Sequence, residues 1–271
     1  MGVCESSTKG CERGLVDGLV FMPPRRNLDP HRRHFSTLSG SDGRLAFELF
    51  KPLFPTLIMP PSLGATKSLI IFAHGNACDL FDMERPLQPL ANALHVPILA
   101  FDYPGYGESE GTPSEASACR ALAAMVAYAQ RELGYTTSKI FLCGQSLGTG
   151  VVTHHAYVHR DSWTTPIILI SPFRSIVKVV SRSLGVLACL ASPLDRFQSE
   201  TKFKDLKCPV KIYHGLEDTI IPPDHSRKLL EALPLPLRLP PTWMPGIGHN
   251  GILEAIPFGT LRAVLDAPPL S

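Results

Sequence analysis

The feature that most constrains this chain is a repeated alternation. Seven short apolar or β-branched runs, at residues 45–50, 68–75, 96–105, 139–146, 166–173, 209–215 and 237–246, are separated by stretches with helical character. Most of the runs end in Gly, Pro or a polar residue, where a strand gives way to a loop. Near-continuous apolar runs of this length suit strands buried on both faces, and helices between them supply the crossovers that parallel neighbours need. The expected architecture is therefore one α/β domain over residues 36–271, with a mostly parallel central sheet flanked by helices. Residues 1–35, rich in Gly, Ser, Pro and charge and broken at Pro23-Pro24-Arg25-Arg26, read as an anchor and linker. The clearest helix is expected from Pro113 to Leu133, with Thr112 as N-cap, Pro113 at the first helical position and Glu115 returning to the cap.

Composition removes several classes of function. With 44 % apolar residues, 18 % charged residues and a net charge of +2, the chain suggests neither wholesale disorder nor a basic nucleic-acid surface. Its seven cysteines, at 4, 11, 78, 119, 143, 189 and 208, are odd in number and form no CxxC pair. A disulfide framework and a zinc site are both disfavoured, and a reducing compartment is expected. Cys119 and Cys143 read as small buried hydrophobes. No apolar stretch reaches the 18 or so residues of a spanning helix, and the N-terminus lacks the apolar core of a secretory signal.

The run KIFLC leads directly into Gly144-Gln145-Ser146-Leu147-Gly148 and then into a helical stretch. Strand, sharp turn and helix in that order hold a serine hydroxyl exposed, with glycines leaving room for neighbouring backbone. A hydroxyl is a poor nucleophile near neutral pH, so Ser146 requires a general base oriented by an acid. Asp218, just past the run PVKIY, and His249, past the last run, are the expected acid and base, in the chain order Ser, Asp, His. Glu217 and Asp195 are weaker candidates for the acid. His154, His155 and His159 on the elbow helix, and His225 and His95, follow no late strand and read as structural. Oxyanion donors are expected from the backbone N–H of Leu147 and of Asn76 or Ala77, in the loop after SLIIFA. His74 in that loop reads as a brace. Chemistry of this kind calls for no metal or redox cofactor.

The N-terminus Met1-Gly2-Val3-Cys4-Glu5-Ser6 fits the N-myristoylation pattern, with Gly2 as acceptor. A single myristoyl chain binds membranes only marginally, so Cys4, and secondarily Cys11, are expected to carry a second acyl group. Arg25, Arg26, Arg32 and Arg33 add attraction to anionic lipid. Residues 174–208 exceed a simple crossover and suggest a lid. There Arg174, Lys178 and Arg182 fall four apart above an apolar face of Ile176, Val177, Val179, Val180 and Leu184, which suits a membrane surface, an acyl-chain groove or a plain core helix.

HGNACDL, FDYPGYGESEGTPSE, GQSLGTG, ISPF, YHGLED and GIGHN follow one another from about Ser68 to His249. In that order they resemble the α/β-hydrolase-domain family of membrane-bound protein depalmitoylases, and GLVFMPP is similar to that group's approach to the domain. The resemblance implies an α/β-hydrolase fold and a triad of Ser146, Asp218 and His249. It also implies cleavage of long-chain acyl thioesters, most of all S-palmitoyl groups on membrane proteins, at the cytoplasmic face of a membrane such as the plasma membrane. Fold alone does not choose a substrate. A lipase or carboxylesterase, a peptidase and a non-catalytic scaffold are the rival readings.

Overall fold

In the computed structural model, residues 17–18, 20–24, 35–53, 68–184 and 195–267 are described, 181–184 by their backbone alone. Gly2, Cys4, Cys11, Arg25, Arg26, Arg32 and Arg33 lie outside them, as does the side chain of Arg182. The chain runs β1 (Ser36–Gly40), β2 (Gly43–Phe50), β3 (Leu69–Ala73), α1 (Leu80–Leu94), β4 (Ile98–Phe101), α2 (Glu115–Arg131), β5 (Ile140–Gln145) and α3 (Leu147–Val158). It continues through β6 (Ile167–Ile170), α4 (Ile176–Leu184), α5 (Ser199–Phe203), β7 (Val210–Gly215), α6 (Asp224–Ala232), β8 (Thr242–Met244), α7 (Ile252–Ala255) and α8 (Phe258–Asp266).

The strands form one sheet in the order β1-β2-β4-β3-β5-β6-β7-β8. β1, β2 and β4 pair antiparallel, and every pairing from β4 through β8 is parallel. Alternation within β3 builds both cores. Leu69, Ile71 and Ala73 join the side covered by α2 and α3, whereas Ile70 and Phe72 join the side covered by α1, α7 and α8. This is the doubly covered sheet expected from the uninterrupted apolar runs. Among the described residues no helix is long and apolar enough to cross a membrane.

Several local expectations shift. The cap of α2 is Ser114 rather than Thr112: Ser114 Oγ accepts from Ser117 N–H, Ser117 Oγ accepts from Ser114 N–H, and the helix starts at Glu115, after Pro113. The reciprocal box is thus Ser–Ser, and Glu115 accepts instead from the Phe197 N–H. The run at 237–246 shrinks to the three residues of β8, because Pro240 and Pro241 have no N–H to give a ladder. β1 is additional. Its signal was the turn Ser41-Asp42 before Gly43, whose φ of 118° suits glycine.

The stretch read as anchor and linker is not uniform. Phe21 is buried to 2 % exposure in the core on the α3 side. In the expected lid, Arg174 Nη2 lies 2.7 Å from Glu200 Oε1, and Lys178 Nζ also pairs with Glu200. Arg174 lies two residues before α4 and so off the expected helical stripe; it and Lys178 tie the start of α4 to α5, while Ile176 and Val179 pack on the core.

Candidate active site

The turn between β5 and α3 is built for close approach. A Cβ on Gly144 would sit 2.4 Å from the Gly148 carbonyl oxygen, and one on Gly148 would sit 2.0 Å from that of Ala73. Any side chain at either position would drive the turn apart. Ser146 takes φ 50° and ψ −116°, a strained conformation for a residue with a side chain, costing roughly 1–3 kcal/mol. Backbone bonds hold it there: Ser146 N–H donates to Ile170 O (2.9 Å), and Ser146 O accepts from Thr149 N–H (2.9 Å) and Thr149 Oγ1 (2.6 Å). The hydroxyl caps nothing and stays half-buried at the C-terminal edge of the sheet.

Two loops converge on it. Leu216 N–H donates to Met244 O and Glu217 N–H to Ile247 O, so the chain after β7 is stitched to the chain after β8. That stitching brings Asp218 Oδ2 within 2.7 Å of His249 Nδ1, and His249 Nε2 within 3.0 Å of Ser146 Oγ. A carboxylate only accepts, so Nδ1 carries the hydrogen and Nε2 is left as the acceptor for the serine hydroxyl. Asp218 Oδ1 accepts from the N–H groups of Ile220 (3.0 Å) and Ile221 (2.8 Å). Burial pushes the Asp218 carboxyl up, but hydrogen bonds from His214 and His249 and the Ile221 amide outweigh it and hold the group well below the usual carboxylate range.

The rival residues sit elsewhere. Glu217 is exposed, and Asp195 Oδ1 accepts from Val177 N–H at the start of α4. His155 stacks edge-on against Trp163, and burial, followed by His159 and His154, pushes its imidazole down to about 3. His225 Nδ1 accepts from Arg174 N–H, and His95 is the left-handed C-cap of α1. His74 braces its loop as expected, its Nδ1 lying 2.7 Å from Gly75 O.

His214, in the YHGLED stretch, joins the site as well. It is fully buried, its Nε2 2.8 Å from Ile221 O and 3.4 Å from Asp218 Oδ2, while Nδ1 meets Ser226 Oγ at 2.6 Å. The carbonyl fixes Nε2 as a donor, so a second imidazole N–H faces the carboxylate. A histidine at the inner end of a strand, four residues before the acid, is the signal that could have pointed to it.

Leu147 opens α3, and the N–H at a first helical position has no partner within its own helix. The loop after β3 lies alongside, since a Cβ on Gly75 would be 3.5 Å from Ser146 Cβ. Of the two loop donors considered, Ala77 N–H is directed at Asn76 Oδ1 (3.1 Å), which leaves the Asn76 N–H as the stronger candidate. The whole arrangement can deprotonate a hydroxyl and meet a developing negative charge beside it. Among the described residues no group of three or more His, Cys, Asp or Glu is placed to hold a metal ion.

A profile described as "Alpha/beta hydrolase family" matches residues 70–246, and the chain belongs to that family and is a hydrolase. It is 37 % identical over 210 residues to "Putative alpha/beta hydrolase L404" of Acanthamoeba polyphaga mimivirus, covering 77 % of each chain. To "Alpha/beta hydrolase domain-containing protein 17C" of Mus musculus it is 31 % identical over 242 residues, covering 89 % of this chain and 69 % of that one. Other relatives are longer: the match spans 60 % of a Caenorhabditis elegans protein and 62 % of a Xenopus laevis one. Among solved structures, the Pyrococcus furiosus esterase Pf2001 superposes with a TM-score of 0.66 at 15 % identity, covering 90 % of this chain and 97 % of that one, a likeness of fold.

Proposed function

We propose that this hydrolase cleaves long-chain acyl thioesters at a membrane surface, with S-acylated membrane proteins as its substrates. The observation that carries the chemistry is the continuous chain from Ser146 Oγ through His249 to Asp218, at 3.0 and 2.7 Å. Ser146 attacks the acyl carbonyl as His249 Nε2 takes its proton. The tetrahedral oxyanion is held by the N–H groups of Leu147 and Asn76, and Asp218 stabilises the imidazolium. His249 then returns the proton to the departing thiol, water enters by the same base, and the fatty acid leaves.

Two features support the acyl substrate. The similarity to the mouse domain-containing protein 17C extends over 89 % of this chain, and the loop that carries Asp218 exposes Leu216 and Ile220, an apolar rim suited to an alkyl chain. For residence at the cytoplasmic face, the proposal uses myristate on Gly2 and acylation of Cys4, with Cys11 in reserve, because one chain alone binds weakly.

The test compares full-length protein with Ser146→Ala on matched palmitoyl thioester and oxyester substrates, and on a membrane protein carrying a labelled S-palmitoyl group. Thioester cleavage lost in Ser146→Ala supports the reading. Efficient oxyester turnover with no release from the S-acylated protein would replace it with a lipase or carboxylesterase. Metabolic labelling with a clickable myristate analogue tests the anchor, and an unlabelled wild-type chain would sink that part.

A further inference from the structure

The Asn76 side chain makes four hydrogen bonds, and its partners reach two distant parts of the sequence. Its Oδ1 accepts from Met22 N–H (3.0 Å), Tyr106 Oη (2.6 Å) and Ala77 N–H (3.1 Å), and its Nδ2 donates to Val20 O (2.7 Å). The amide oxygen and one of the two Nδ2 hydrogens are thereby committed. With them the side chain clamps the backbone of Val20 and Met22 to the loop whose N–H is the proposed oxyanion donor.

The segment it clamps is seated at two further points. Asp17 Oδ1 accepts from Arg196 Nε at 2.7 Å, with both side chains largely shielded from solvent. Phe21 is buried, with its ring centroid 6.0 Å from that of Phe197. Phe197, itself fully buried at a positive φ of 48°, lies against α3: a Cβ on Gly150 would be 2.7 Å from its ring. One short segment therefore touches both elements that present oxyanion donors, the Asn76 loop directly and α3 through Phe197.

We propose that residues 17–18 and 20–24 form a strap that holds the oxyanion site in register, and that the Asn76 side chain is the positioning residue through which it acts. The proposal rests on the serine-hydrolase reading above. An oxyanion donor works only if it is fixed before charge develops, and a displacement of about 1 Å in such a site costs roughly a hundredfold in rate. The strap supplies that fixity from outside the sheet, since the loop after β3 leaves the ladder at Ala73.

The experiment uses the full chain and a soluble short-chain p-nitrophenyl ester, whose hydrolysis needs the oxyanion site but no membrane. Phe21→Ala unseats the strap, Asn76→Ala removes the clamp while keeping the backbone N–H, and Met22→Pro deletes the strap's N–H donor while also fixing its φ and restricting Phe21 before it. Each is expected to lower kcat about ten- to a hundredfold with KM changed less than about twofold, as for loss of a transition-state contact alone. The double variant Phe21→Ala with Asn76→Ala should be no slower than Asn76→Ala, because both cut one connection. Multiplicative losses in the double variant, or a normal kcat in Asn76→Ala and Met22→Pro, would overturn the strap. If Phe21→Ala does not fold, Asn76→Ala still decides. Turnover that survives Ser146→Ala would bring down the serine-hydrolase reading itself, and fluorophosphonate labelling of the wild-type chain separates that failure from a failure of the strap alone.

Discussion

Two histidine–aspartate pairs sit at the same edge of this sheet, and their contrast explains what makes one a site. His74 and Asp102 are both fully buried, with Nε2 3.5 Å from Oδ1. Nδ1 is spent on Gly75 O, and Asp102 Oδ1 accepts from Leu80 N–H at the start of α1. That pair joins the ends of β3 and β4 to a helix start. His249 and Asp218 are closer, at 2.7 Å, and His249 remains 12 % exposed with Nε2 facing a hydroxyl. The residue types are the same; the difference is a ring nitrogen left as an acceptor, a nucleophile in front of it, and a path to solvent.

The largest expected effect falls on the open pair. Ser146→Ala or His249→Ala should reduce turnover by a factor on the order of 10⁴ or more, measured as kcat on an acyl thioester. Near-normal turnover in His249→Ala would erase the distinction between the two pairs. Asp218→Asn is the next step. Asn can still accept from the Ile220 and Ile221 amides, but it turns an N–H₂ toward two imidazoles whose nitrogens already present hydrogen. His249 is then pushed to the wrong tautomer, and kcat should fall about 10²- to 10⁴-fold with the fold retained.

The same exchange in the closed pair should separate stability from chemistry. Asp102→Asn and His74→Gln are expected to lower the midpoint of thermal unfolding, since a buried partner left unsatisfied costs about 1–3 kcal/mol. Their kcat should stay within an order of magnitude of wild type. A loss in Asp102→Asn as deep as that of Asp218→Asn, in protein shown folded by circular dichroism, would make the second pair part of the chemistry.

What was legible in the sequence follows from the range of the interactions involved. The elbow was readable because Gly144 avoids a backbone collision with Gly148 only four residues on and the strand, turn and helix around Ser146 are contiguous, and the parallel sheet because a doubly buried strand must be apolar throughout. Asp218 and His249 were readable by their place after late strands. The Ser114–Ser117 box was misplaced by two residues because a proline, two hydroxyl residues and a glutamate crowd the same turn and local pattern does not rank them. His214 and the strap were not readable as parts of the site. His214 meets Asp218 only through the shape of the loop after β7, and Phe21 and Asn76 are 55 residues apart with nothing in either neighbourhood to announce the other.

The smallest expected effect extends the contrast to protons and acid stability. Burial first, then Arg174 beside it, pushes the His225 imidazole down to about 4, and His155 lies lower at about 3. A histidine whose folded value is depressed stays neutral while the unfolded chain takes up a proton near pH 6.5, so its stabilisation is complete above that pH and is lost as the pH falls toward the folded value. Asp218 acts in a lower window. Its folded value lies below its ordinary 3.8, so its contribution is present above about pH 4 and disappears as the pH drops beneath that. Unfolding free energy from denaturant titrations at pH 3 to 8 should therefore decline in two stages, histidines first, with a slope of at most about 1.4 kcal/mol per pH unit for each proton. His155→Phe, which keeps an aromatic ring beside Trp163, should flatten the stage between pH 6.5 and 4. Asp218→Asn should leave that stage alone and approach wild type only below about pH 4. A wild-type advantage over Asp218→Asn that stays constant down to pH 3 would mean that the carboxylate of the open pair is not held by the imidazoles around it, and that its geometry alone orients His249.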